Sequence, residues 1–306
     1  MTHIAFIGFG EAAQAMAQGF GEEQGVAGLS AYDVRFTDAG SGPELRERAR
    51  ERRVRAAKTP ADAVNGADIV LSLVVGSAAA AVGEAVGPVL RPEQIFVDLN
   101  SISPDAKEAV GAALARGGRG EFVEGAVMAR VPPYRHKVPI LLAGGAADRA
   151  AALMRGVGME VEAVGDRVGQ ACAVKMIRSV IVKGIEALML ESLTAAERCG
   201  VRERILASIA ETFPGLDWRQ VAAYHIGRTQ QHGARRVTEM KEAAATLRGF
   251  GLEPRMAEAS GATIAAAHAR FKARDVPFGA DLPELLAVLA AGEGDADVPV
   301  KRAKSA

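Results

Sequence analysis

Cysteine occurs only twice in 306 residues, as Cys172 and Cys199, with no short CxxC spacing. A disulfide framework and a structural zinc site are both excluded on that count, and a reducing compartment is implied. Net charge is also missing: 37 basic side chains balance 37 acidic ones. Without a global field there is no general attraction to nucleic acid or to an acidic membrane surface. No uncharged apolar run reaches the roughly 18 residues of a membrane span. The chain opens on a strand-like "HIAFIG", with no basic segment, apolar signal core or cleavage site ahead of it. These absences lead us to expect a soluble cytoplasmic protein with no nucleic-acid or membrane partner and no metal. What remains is 49% hydrophobic and 24% charged, which are globular values, in a chain long enough for two domains.

Short β-rich runs alternate with alanine-rich helical stretches as far as residue 164. They are "HIAFIG", "LSAYD", "RVRAA", "DIVLSLVV", "QIFVDLN", "FVEGAV", "VPILLAG" and "MEVEAVG". Such alternation predicts a mostly parallel sheet with crossover helices. Beyond Gly165 the strand pattern stops, and about 30 residues without proline run to Cys199-Gly200, a glycine helix stop. Further helices are expected, broken at "FPG" and "GLEP". The fold class is therefore α/β: an N-terminal doubly wound Rossmann domain over 1–164, then an all-α C-terminal domain over 165–292. A disordered tail is expected over 293–306.

"IAFIGFGEAAQAMA" places Gly8, Gly10 and Ala13 in GxGxxA spacing between an apolar strand and a helix. Gly8 permits the tight turn, Gly10 lets a pyrophosphate approach the backbone, and Ala13 lets helix pack on strand. Phosphates would sit at the helix N-terminus, against Phe9, Glu11 and Ala12. Asp33, about 20 residues on, can accept from a ribose 2′-hydroxyl and favours NAD. Arg35 could instead meet the 2′-phosphate of NADP, and Asp38 competes with Asp33 if the strand is "VRFT".

At these residues the sequence resembles the β-hydroxyacid dehydrogenase superfamily, which includes 6-phosphogluconate and 3-hydroxyisobutyrate dehydrogenases. It is most similar to the phosphogluconate dehydrogenase-like NAD-binding subgroup. The resemblance spans about residues 3 to 270 and rests on "GFGEAAQAMA", "DLNSISP", "FVEGAVMARVPP" and "VGQACAVKMIRS" in that order. It implies that Lys175 is the catalytic acid/base. Lys183 has no counterpart in the motif, and on a helix it stands about 12 Å further along the axis and about 80° around. The resemblance further implies that Ser101 or Asn100 binds substrate or the nicotinamide side, and that Val74 and Val75 line the cofactor.

Two departures from the family pattern set expectations of their own. Ser179 stands where relatives keep an asparagine, leaving a larger space, and Met128, Ala129 and Arg130 replace Ser-Gly-Gly. Together they imply an anionic substrate bulkier than 3-hydroxyisobutyrate. Tyr224, Arg228, His232, Arg235 and Glu239 follow one helical face if Gly227 and Gly233 do not break it. Arg228, His232 and Arg235 are anion-binding candidates, with Arg178 one turn past Lys175; the alternative is a solvated face with an Arg235–Glu239 pair. Relatives reach into the cleft from this region with a lysine where Glu239 falls.

Oxidation of an alcohol needs a hydride acceptor and a base. Nicotinamide would supply the first, and Lys175 the second, if burial and Arg178 disfavour its charged form. The leading reading is an NAD(P)-dependent hydroxyacid dehydrogenase or ketoacid reductase. The alternatives are imine reduction on the same fold and a noncatalytic dinucleotide-binding module. The apolar helix from Val168 to Arg198 should be buried between domains or in a homodimer.

Overall fold

All eight apolar runs form strands. The structure, a computed structural model, describes residues 1–118 and 120–291, so the expected tail at 293–306 lies outside the described residues. In chain order the first part runs β1 (Thr2–Ile7), α1 (Glu11–Phe20), β2 (Val26–Tyr32), α2 (Gly42–Glu51), β3 (Val54–Ala56), α3 (Pro60–Val64) and β4 (Ile69–Ser72). It continues with α4 (Ala79–Val86), β5 (Ile95–Asp98), α5 (Pro104–Gly117), β6 (Glu121–Val127), α6 (Val131–Tyr134), β7 (Ile140–Ala143), α7 (Ala147–Arg155) and β8 (Val161–Gly165).

These strands make one sheet in the order β3-β2-β1-β4-β5-β6-β7-β8. Pairing is parallel except between β6 and β7. The central strands are apolar at consecutive positions because both faces of the sheet are covered. Ile4 and Phe6 of β1 face one core, with Phe9, Met16 and Phe20, while Ala5 and Ile7 face the other, with Val70, Phe96 and Val110. The chain winds outward from β1 to β3, then returns to β4 on the other side of β1. That reversal is the topological switch point where ligands of doubly wound sheets bind, beyond the carboxyl ends of the strands.

The chain divides into two compact units, Met1–Lys175 and Met176–Ala306. The division falls within α8 (Gln170–Arg198), which ends just before Gly200 at φ +67°. The second unit continues with α9 (Arg202–Thr212), α10 (Trp218–Gly249), α11 (Arg255–Ala273) and α12 (Leu282–Ala290). Its core includes Met176, Leu193, Ile226, Met240, Ile264 and Leu286. The breaks at "FPG" and "GLEP" separate α9 from α10 and α10 from α11. Among the described residues, no helix is long and apolar enough to cross a membrane.

Candidate functional site

The loop from β1 to α1 is shaped by its two glycines. Gly8 holds φ +91°, and a Cβ on it would lie 2.4 Å from the Leu73 carbonyl oxygen at the end of β4. A Cβ on Gly10 would meet nothing within 4 Å, so the surface there is open to a ligand. Gly10 N-caps α1 without a side-chain cap, and the Gln14 amide is the first to bond within the helix. The amides of Glu11, Ala12 and Ala13 therefore point off the helix end, where anions are favoured. Ala13 is buried against the sheet. This donor set and the open Gly10 surface fit a dinucleotide pyrophosphate. Phe9 differs from expectation: its ring is fully buried against Phe6 and Phe36, and its amide donates to Asp33.

Asp33 directly follows β2, because "VRFT" forms a 3-10 turn rather than a strand. Asp38 is thereby displaced as the ribose acid and instead accepts from the Gly40 and Ser41 amides. Asp33 Oδ2 accepts from the Phe9 amide at 2.8 Å and from Arg35 Nη2 at 2.9 Å. Its Oδ1 accepts from the Arg35 amide and from Arg35 Nε, both at 2.9 Å. Burial raises the Asp33 carboxyl, but the Arg35 guanidinium and the two amides outweigh it and hold the group below the usual carboxylate range. Asp33 and Arg35, expected as alternatives, are thus bonded to each other.

At the same sheet edge, Lys175 Nζ donates to Ser101 Oγ at 2.5 Å. Ser101 is exposed on the loop after β5, and Lys175 lies in the first turns of α8. The first unit thus brings together Lys175, the expected acid/base, and Ser101, an expected substrate-binding residue. Asn100 is not presented to a cofactor. It is buried, its Oδ1 accepts from the Val74 amide at 2.8 Å, and its Nδ2 donates to Asp98 and to Ser72 Oγ. Its work is to tie the loops after β4 and β5 together, leaving Val75 exposed beside them. Met128, at the end of β6, packs part of its side chain on Ala126, Ala143 and Ala171, while Ala129 and Arg130 are exposed.

In the second unit, Ser179 is buried and accepts from Lys183 Nζ at 3.2 Å. Lys183 is 6% exposed and ion-paired with Glu239 of α10 at 3.0 Å. Burial pushes the Lys183 ammonium down, against the Glu239 carboxylate, which raises it. The space expected at Ser179 is therefore taken up by the Lys183 ammonium. Arg178 is exposed, and so is Arg235, which pairs with Glu239 at 3.2 Å.

The α10 stripe does not hold as one face. His232 has φ −137°, a kink inside the helix, next to Gly233, where a Cβ would lie 2.3 Å from His268 of α11. Past the kink, Arg236 rather than Arg235 turns inward. It pairs with the fully buried Glu186, which also accepts from Thr229. Arg228 is buried before the kink. Sequence reasoning missed Glu186, Arg236 and, in the first unit, Asp98, Lys107 and Glu124. The short spacing of Lys107 behind the "DLNSISP" turn was the only local hint.

Residues 3–101 match a family model described as NADP oxidoreductase coenzyme F420-dependent, and residues 196–266 match a domain of unknown function, DUF1932. A conserved hypothetical protein from Sinorhizobium meliloti 1021 is 53% identical, covering 95% of this chain and 96% of its own, with a TM-score of 0.81. A conserved protein of unknown function, whose structure is described as similar to 3-hydroxyacid dehydrogenases, is 29% identical. That match covers 88% of this chain and 99% of the other, with a TM-score of 0.70. The 3-hydroxyisobutyrate dehydrogenase of Mycobacterium tuberculosis, solved with L-serine, shares the fold at 18% identity. It covers 95% of this chain and 100% of its own, with a TM-score of 0.73.

Proposed function

We propose, for a chain that belongs to the β-hydroxyacid dehydrogenase superfamily, that it transfers a hydride between a nicotinamide dinucleotide and a β-hydroxyacid or its keto form, with Lys175 as general acid/base. The observation that carries this reading is the hydrogen bond from Lys175 Nζ to Ser101 Oγ, at the sheet edge where Gly8, Gly10 and Ala13 open a helix N-terminus. Nicotinamide, when bound, supplies the hydride acceptor. Lys175 as the neutral amine takes the hydroxyl proton at Nζ, and as the ammonium returns it to the developing alkoxide. Ser101 orients that nitrogen, and exposed Arg130 offers a cation to the substrate carboxylate.

The cofactor is NAD(H) or NADP(H), and Arg35 discriminates between them. A ribose 2′-hydroxyl reaches Asp33 only by displacing the guanidinium, whereas a 2′-phosphate finds the guanidinium in place. We also propose a homodimer, because Ile177, Ile181 and Leu188 form an exposed apolar stripe on α8; light scattering showing a monomer would remove that element. The activity is tested with both cofactors against aliphatic, sugar and aryl β-hydroxyacids and their keto forms. Turnover of at least one pair is expected. Nicotinamide binding without turnover of any of them would overturn the reading.

A further inference from the structure

Lys175 and Ser101 sit on different elements, so their separation has to be fixed from elsewhere. Beneath them lies a buried polar cluster of Asp98 on β5, Lys107 on α5 and Glu124 on β6, each 0% exposed. Asp98 and Glu124 are partners in the β5–β6 register, which puts their side chains on the same face of the sheet. Lys107 Nζ donates to Asp98 Oδ2 at 2.7 Å, to the Asp98 carbonyl at 2.6 Å and to the Gly125 carbonyl at 3.2 Å. It thereby ties the end of β5 to β6.

Glu124 Oε1 accepts from the backbone amide of Ala171 at 2.7 Å. Ala171 is in the first turn of α8, fully buried on Ala126 and Ala143. A helix end buried away from water needs an acceptor for its first amides. Val168 and Gly169, just ahead of α8, carry no capping side chain. The acceptor comes instead from a strand 47 residues back. Burial first, and the adjacent Glu124 carboxylate second, push the Cys172 thiol well up. On the other side, Asn100, the residue next to Ser101, donates from Nδ2 to Asp98 Oδ1.

We propose that Glu124 is a positioning residue for the Lys175–Ser101 pair, setting the height and roll of α8 one turn before Lys175. Ser101 is referenced to Asp98 through Asn100, Lys175 is referenced to Glu124 through Ala171, and Lys107 locks the two strands together. Its meaning for turnover rests on Lys175 being the acid/base; the geometry is tested without turnover.

The experiment measures acetylation of Lys175 by limiting acetic anhydride against pH in the full chain, read by mass spectrometry of the peptide that contains it. Losing one hydrogen bond to the amine should speed labelling about two- to tenfold. Ser101→Ala and Glu124→Leu should each do this, and the double variant should be no faster than either. Glu124→Gln, whose amide oxygen still accepts from Ala171, should label like the parent. Parent-like labelling of a folded Glu124→Leu chain, or additive effects in the double variant, would overturn the proposal. If Glu124→Leu does not fold, Glu124→Asp decides, since a carboxylate one methylene short should shift labelling in the same direction and a parent-like rate refutes it. Full activity of Lys175→Ala would refute the acid/base reading and leave the labelling result standing.

Discussion

Replacing Arg35 by alanine should move cofactor preference toward NADH. The guanidinium makes two side-chain bonds to Asp33, both at 2.9 Å. Its side chain is 51% exposed against 8% for Asp33, so the pair is partly solvated and worth roughly 0.2–1 kcal/mol. NADH must break that pair to reach Asp33. Removing Arg35 in advance should tighten NADH by about 1.5- to fivefold. NADPH would instead lose a charge-assisted hydrogen bond to its 2′-phosphate, about 1.5–3 kcal/mol, or roughly ten- to a hundredfold in affinity. The assay is a fluorescence titration with each reduced cofactor at two ionic strengths, and the NADPH loss should shrink at high salt. Equal shifts for the two cofactors, or an unchanged NADPH affinity, would refute the reasoning.

Three further outcomes follow from the same geometry. Gly8→Ala forces a Cβ onto the Leu73 carbonyl at a positive φ and should weaken NADH at least about tenfold; Gly10→Ala, with open space around it, should lose NADH while melting like the parent, and a lower melting temperature would contradict that. Lys107→Met strands the fully buried Asp98 and should cost about 3–5 kcal/mol in urea unfolding followed by circular dichroism, with Asp98→Asn in the same chain recovering part of it; a loss below about 1 kcal/mol sinks the assignment. Lys183 is held below its unfolded value chiefly by burial, so its unfavourable charge is fully felt below the folded pKa and fades as pH rises toward the unfolded value of about 10.4. The parent should therefore gain stability relative to Lys183→Met as pH rises from neutrality, and a constant difference would contradict the placement.

The sheet could be read from sequence because its central strands are buried on both faces and stand out as unbroken apolar runs between turn residues. The GxGxxA loop was equally plain, since it depends on backbone space that only Gly and Ala allow. Lys107 was not legible: in "PDAKEAVGAA" it looks like a residue of a solvated helix face, and only the approach of α5 to Asp98 and Gly125 buries it. Glu124 likewise looks like an ordinary strand residue until α8 begins above it. The α10 stripe was misphased by the kink at His232, which no local residue announces except Gly233, and that glycine is needed for the approach of His268. Lys183, which has no counterpart in the family motif, pairs with Glu239 of α10 and so joins two helices.

The central claim is that Lys175 moves the proton while nicotinamide takes the hydride. Its most direct test is turnover by Lys175→Ala, once a hydroxyacid substrate is in hand, with cofactor affinity measured on the same protein. Loss of about 10²- to 10⁴-fold in kcat with cofactor affinity retained is the predicted result, and kcat within a fewfold of the parent would contradict it.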